Sequence, residues 1–176
     1  MFQITTQPTQ WFSLKICLLA ILVSGFHFSQ AADWPQWMGP DRASIWQEDG
    51  IVESFPESGL KRIWRVKVGL GYSGPAVADG KVYLFDYVKK EGQLKNNPSG
   101  KNLLEGRERL LCLDAATGAT EWVYDYLQYY NLSYAAGPRS TPTVHQDKVY
   151  ILGAEGRLSC LSAKDGKLIW HKDFKK

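Results

Sequence analysis

Two stretches of this sequence cannot be read independently of each other. Leu110-Leu-Cys-Leu-Asp-Ala-Ala-Thr-Gly-Ala-Thr-Glu-Trp122 and Leu158-Ser-Cys-Leu-Ser-Ala-Lys-Asp-Gly-Lys-Leu-Ile-Trp170 share Leu, Cys, Leu, Ala, Gly and Trp in register at an offset of 48. A second doublet precedes them. Gly74-Pro-Ala-Val-Ala-Asp-Gly-Lys-Val-Tyr83 matches Thr141-Pro-Thr-Val-His-Gln-Asp-Lys-Val-Tyr150 at an offset of 67. The offsets differ by 19 because the first copy carries an insertion between its halves. Self-similarity at a period in the forties signals a repeat architecture.

Each copy reads as four short strands. Val82-Tyr-Leu-Phe and Val149-Tyr-Ile-Leu are β-branched and aromatic, as strands are. Asp79-Gly80 between two apolar runs is a hairpin signal, because Gly accepts positive φ. Ala116-Thr-Gly118 and Lys164-Asp-Gly166 mark a second hairpin. The expected strands are 74–78, 81–88, 107–114 and 120–126, then 141–145, 148–153, 157–162 and 167–172. The fold class is all-β. A four-stranded antiparallel sheet repeating every forty-odd residues is the β-propeller blade pattern. The chain holds about two blades plus part of another.

Cys112-Leu-Asp114-Ala-Ala-Thr117-Gly118-Ala-Thr-Glu-Trp122 resembles the tryptophan-docking motif of pyrroloquinoline-quinone (PQQ)-like repeat propellers, Ala-x-Asp-x-x-Thr-Gly-Lys-x-x-Trp. Cys112 stands for the first Ala and Ala119 for the Lys. The second copy puts Ser162 for Asp and Asp165 for Thr. Ile63-Trp64-Arg65 looks like the end of a preceding copy. Trp34-Pro-Gln-Trp-Met-Gly39-Pro40 resembles the opening of exported bacterial members, and the Bam-complex assembly lipoprotein shares the repeat. The resemblance implies that Trp64, Trp122 and Trp170 pack between blades, with Asp114, Gly118 and Gly166 shaping the turns. These are docking residues and not catalytic ones.

Residues 1–31 read as a signal peptide. Lys15 is their one charged side chain, Ile16–Val23 is apolar, and Ser29-Gln-Ala31 offers a cleavage site. The apolar run is shorter than the roughly 20 residues that span a bilayer, so no stable membrane insertion is expected after cleavage. The expected location is periplasmic or extracellular. Residues 32–60 form an N-terminal extension, in which Trp34 and Trp37 cap or staple the propeller edge and 43–60 read as a loop with at most one short strand. Residues 61–176 form a partial propeller domain, read as the N-terminal piece of a longer one, because closed propellers need at least four blades.

Without residues 1–31 the balance is 20 Lys plus Arg against 18 Asp plus Glu. That field is too weak to argue for nucleic acid. Cys112 and Cys160 occupy equivalent positions on stacked blades, too far apart to bridge, and read as buried thiols. His145 and His171 have no partner at motif spacing, and no nucleophile, metal pair or carboxylate dyad stands out.

The insertion, 89–108, is polar, Gly-containing and broken by Pro98, and reads as a loop. With the tail of 123–138 it falls on one side of the blade. Long loops on a rigid scaffold are where binding residues concentrate. Tyr129, Tyr130 and Arg139 are the candidate recognition residues, with Lys89, Lys90 and Lys95 biasing the rim toward acidic partners. The functional expectation is an exported binding or scaffold module with a protein or polysaccharide partner. Further blades of the same propeller are its expected neighbours. The alternative is the N-terminal part of a PQQ-dependent dehydrogenase. In that family the resemblance implies quinone and Ca²⁺ at the propeller axis, with an Asp base. No residue here matches those roles, so PQQ and Ca²⁺ enter only if further blades supply their site.

Overall fold

The repeat begins with a tight turn in each copy. Asp79 and Gly80 both have positive φ, 51° and 71°, and so do Gln146 and Asp147, 47° and 58°. Two left-handed residues in succession twist a two-residue hairpin the way the flanking strands twist. The computed structural model describes residues 32–95, 99–133 and 136–175. The signal-peptide reading of 1–31 lies outside them.

Among the described residues eight strands make two sheets. β1 (Ala76–Ala78), β2 (Lys81–Glu91), β3 (Asn102–Asp114) and β4 (Thr120–Leu132) form the first in that order. β5 (Thr143–His145), β6 (Lys148–Leu152), β7 (Arg157–Ser162) and β8 (Leu168–Asp173) form the second. All neighbours are antiparallel. The molecule is therefore all-β, two four-stranded propeller blades. Both copies carry a register shift at the same place, Cys112/Leu113 in blade 1 and Cys160/Leu161 in blade 2.

Period-two alternation decides what each face does. Three rows cross β2, β3 and β4 on one side of blade 1: Tyr83–Cys112–Trp122, Phe85–Leu110–Tyr124 and Tyr87–Glu108–Tyr126. The first two rows and Tyr126 pack with Val149, Ile151 and Leu161 of blade 2 into one buried core. A smaller cluster follows from Tyr87, Leu104, Tyr130 and Ala136, with Ala154 against it. Cys112 and Cys160 are buried free thiols, and burial pushes the Cys112 thiol up to about 11.

The insertion corrects the expectation of a loop over 89–108. β2 runs to Glu91 and β3 starts at Asn102, so the connection shrinks to 92–101. β4 likewise runs on to Leu132, well past 126. The extra residues lengthen three strands into an arm that blade 2 lacks. The three strand ends Glu91, Asn102 and Leu132 lie at one end of the sheet. Both connections expected on one side do leave from that end.

The extension does no capping with Trp37, whose indole is exposed. Trp34 does staple an edge. It exchanges two backbone hydrogen bonds with Val77 of β1 (2.8 and 2.9 Å), and Pro35 accepts one from Val144 of β5 (2.8 Å). The inner edges of both blades thus share one strip of chain. Gly39 lets that strip fold back, since a Cβ there would meet the Trp34 ring at 2.9 Å.

Candidate functional site

Blade docking follows one rule, applied twice. Trp64 donates from Nε1 to the Ala115 carbonyl (2.9 Å), and its ring lies where a Cβ on Gly118 would sit, 2.8 Å away. Trp122 donates from Nε1 to the Ala163 carbonyl (3.1 Å), and its ring lies against Gly166. The two glycines also need left-handed backbone, φ 72° and 69°. Each indole thus seats on the third-to-fourth-strand turn of the following blade. Trp170 has no described turn to seat on and is 43% exposed.

The turns themselves are built by opposite chemistry. In blade 1 Asp114 Oδ1 accepts from the Thr117 amide (2.8 Å) and hydroxyl (2.6 Å). The Thr117 hydroxyl bond holds the Asp114 carboxyl below its usual range. In blade 2 the acid sits at the other position. Asp165 pairs with Lys167 (2.8 Å) and accepts from Ser162, and these two bonds bring its pKa to about 2. The Ser-for-Asp and Asp-for-Thr departures are therefore one exchange of carboxylate and hydroxyl across a single hydrogen bond.

The arm of blade 1 is organised by a carboxylate that the sequence reading passed over. Glu108 is fully buried. It accepts from Tyr126 Oη, from Tyr130 Oη at 2.6 Å, and from the Ala154 amide at 2.7 Å. Burial, and then the charge of Glu108, drive both phenols well above their ordinary value. They stay protonated and keep donating. Tyr130 stacks on Tyr87 at 4.0 Å between ring centres, and Tyr87 Oη donates to the Gln128 carbonyl (3.0 Å). Arg157 of blade 2 lies 4.3 Å from the centre of the Tyr126 ring. A buried carboxylate needs such donors, because an unpaired one is very costly. The Ala154 bond makes Glu108 a tie between the arm and the β6–β7 turn.

The opposite side of the arm is ionic. Arg109 grips Asp86 with Nε (3.0 Å) and Nη2 (2.6 Å), and the Gly69 amide donates to the same carboxylate (2.6 Å). Arg107 Nε donates to Asp125 (2.7 Å). A cleft of about 430 Å³ opens there, lined by Lys67, Leu70, Val88, Lys89, Leu94 and Arg109 among others.

The candidate recognition residues fall in different places. Tyr130 is 2% exposed and belongs to the core, which removes it from any surface. Tyr129, its neighbour on the strand, points the other way and is 62% exposed. Lys90 bonds Glu105 (2.9 Å), the cross-strand partner of Tyr129. Lys89 lines the cleft, and Lys95 and Arg139 are exposed in connections. Lys90 and Tyr129 therefore both flank Glu105, whose cross-strand partner on β2 is Glu91. The sequence signal for Glu108 was its parity with Leu110 and Cys112.

Among known proteins, BamB from Moraxella catarrhalis is a solved structure to which the chain is similar. Identity is 25%, the match covers 42% of this chain and 20% of that one, and the TM-score is 0.29. The matched part is thus a fifth of that protein's length. No curated protein matches. A family model of PQQ-like repeats, described as outer membrane protein assembly factor BamB, matches residues 48–175. Those residues contain both blades and the Trp64 that docks on the first of them, and the chain belongs to that family.

Proposed function

We propose that this chain is part of an exported, non-catalytic scaffold that presents its long-stranded blade to protein partners. The observation that carries this reading is the arm. The insertion lengthens three strands into a platform whose outer side shows Val123, Leu127, Tyr129 and Leu103 to solvent around the Arg107–Asp125 ion pair. Exposed apolar side chains grouped on one rigid surface are a usual mark of an interaction site. The family's description as an assembly factor agrees with partner binding. A polysaccharide partner has no comparable support.

The alternative, a quinoprotein dehydrogenase, would hold PQQ and Ca²⁺ where the first strands of the blades converge. Here Trp34 and Pro35 occupy the inner edges of β1 and β5. Among the described residues no cluster of His, Cys, Asp or Glu is grouped to hold a metal. The strip along the inner edges favours the scaffold. Calorimetry with the quinone and Ca²⁺ tests it. No saturable heat is expected. Binding near one equivalent that a chelator abolishes would establish the dehydrogenase reading instead.

A further inference from the structure

The backbone nitrogen of Ala32 is aimed at a carboxylate. It donates to Glu48 Oε2 at 2.8 Å, 16 residues further along the chain. Among the described residues no Lys or Arg pairs with Glu48. A carboxylate that holds one neutral N–H has room for a stronger donor, since a charged donor bonds it roughly twice as well.

The chain between these two residues is folded back on itself. Gln36 Nε2 donates to the Pro40 carbonyl (2.9 Å), Arg42 grips the Gln36 side chain (3.2 and 3.3 Å), and the Ser44 amide donates to the Met38 carbonyl (2.9 Å). These turns bring Glu48 round to Ala32 and leave a cavity of about 180 Å³ between the two arms of the loop. Asp33 and Asp41 line it, and no Lys or Arg does. The apolar hollow beside it, between Ala32, Trp34, Trp46 and Val77, holds no cation either. A positive charge on the Ala32 nitrogen would face Glu48, Asp33 and Asp41, with Arg42 engaged by Gln36.

The same nitrogen is where the sequence places a cut. Ser29-Gln-Ala31 puts small residues three and one positions before the Ala31–Ala32 bond, behind the apolar run 16–23. That signal lies before the bond and Glu48 lies after it, so the two observations are independent. The staple on the blades begins directly afterwards. Asp33 Oδ2 accepts from the Asp79 amide (3.2 Å), and Trp34 exchanges its two bonds with Val77. A cut beyond Trp34 would remove the staple from β1.

We propose that hydrolysis of the Ala31–Ala32 bond makes Ala32 the mature N-terminus and that Glu48 holds the ammonium so formed. The oxygen of water joins the Ala31 carbonyl carbon, which leaves with the leader as a carboxylate. The Ala32 nitrogen keeps the electron pair of the broken bond and takes up both protons of the water. The catalyst is a leader peptidase of the export apparatus. This deepens the exported part of the reading above and rests on it. The ion pair closes the loop from Ala32 to Glu48 and seats the end of the strip that runs along both blades.

The test expresses the full 176-residue chain in a bacterium and recovers the exported product. Intact mass and terminal peptide sequencing should find Ala32 first. Its amine is then dimethylated with carbon-13 formaldehyde and titrated by NMR. It should titrate at least about half a unit above the ordinary 7.7–8.0 of an α-amine, and Glu48→Gln should return it to that range. Salt at about 1 M should remove most of the wild-type shift, because it screens exposed pairs; this arm decides if Glu48→Gln does not fold. An exported product that begins at another residue would overturn the proposal and leave export standing. So would an amine that titrates alike with and without Glu48, or alike in low and high salt. A product that keeps residues 1–31 would overturn both the proposal and the export reading. The quinone calorimetry is independent of all four outcomes.

Discussion

Blade 1 shows blade 2 a row of Tyr83, Cys112 and Trp122; blade 2 carries the same row, Tyr150, Cys160 and Trp170, with no described blade over it, so that Trp170 is exposed and only Cys160 is buried. The local geometry is nearly identical. Tyr83 and Trp122 lie 5.9 Å apart at 53°, and Tyr150 and Trp170 lie 6.2 Å apart at 55°. What differs is cover. Tyr83 is buried beneath blade 2, while Trp170 stays open. The row is therefore a property of one blade, set by register and by the small Cys between two rings. Its burial is a property of the neighbour. In repeat proteins stability divides in the same way, into intrinsic terms and interface terms.

The largest effect should separate those two contributions. Trp122→Ala removes an indole that packs into the core and bonds Ala163, and should cost about 3–5 kcal/mol. Trp170→Ala removes the equivalent indole from an open face and should cost under about 1.5 kcal/mol. Urea unfolding of the two variants checks the difference. Equal losses would mean that the docking contact contributes nothing beyond the blade.

Next in size is the tie that only blade 1 makes. Gly153 has no room for a side chain, because a Cβ would press on the Glu108 carboxylate and lie 2.5 Å from Tyr126 Oη. Gly153→Ala should destabilise by about 1–3 kcal/mol, the ordinary range for overpacking. Gly156→Ala, in the same turn, meets nothing closer than 3.6 Å, though its φ of 93° carries backbone strain of its own. Crystal structures of the two variants would show whether only Gly153→Ala shifts Glu108.

Alkaline pH should act mainly on blade 1. Burial pushes the Tyr87 phenol up to about 12 and the Cys112 thiol up to about 11, and raises Tyr83, Tyr126 and Tyr130 further. A raised pKa in the folded state favours the protonated form. Its stabilisation is complete below the ordinary value, near 9 for the thiol and about 10 for the phenols, and is lost as pH climbs through the folded one. The urea midpoint should hold to about pH 9 and then fall. A midpoint that stays level to pH 11 would show that these groups titrate as in the unfolded chain.

The smallest expected effect makes the second blade imitate the first. Gln146-Asp147 occupies the left-handed turn that blade 1 builds from Asp79-Gly80. A non-glycine residue there costs about 1–2 kcal/mol, although Asp tolerates it better than most. Asp147→Gly should therefore gain at most about 1 kcal/mol in thermal unfolding, and a loss would show that the Asp147 side chain contributes to the turn.

The strands of blade 2 were legible almost to the residue, because Val149-Tyr-Ile-Leu and Leu158-Ser-Cys-Leu are bounded by turn residues on both sides. The arm was not, for a physical reason. Its inward positions alternate Leu104, Gly106, Glu108, and only the first reads as core. Gly106 is small because the Tyr87 ring crosses it; a Cβ would lie 2.6 Å from Cζ and 2.7 Å from Oη. Glu108 is charged because two phenols and an amide surround it. A strand whose core positions are a gap and a carboxylate looks like a loop in sequence. The same blindness put Tyr130 on the surface, since strand parity beyond 126 decides which of Tyr129 and Tyr130 faces in.

The docking of Trp122 into blade 2 is what joins the two blades. Hydrogen exchange of the indole Nε1–H groups by NMR tests it in one experiment. Trp64 and Trp122, which donate to Ala115 and Ala163, should exchange slowly, and Trp170 should exchange at close to the rate of a free indole. A Trp122 indole that exchanges as fast as that of Trp170 would contradict the docked arrangement of the two blades.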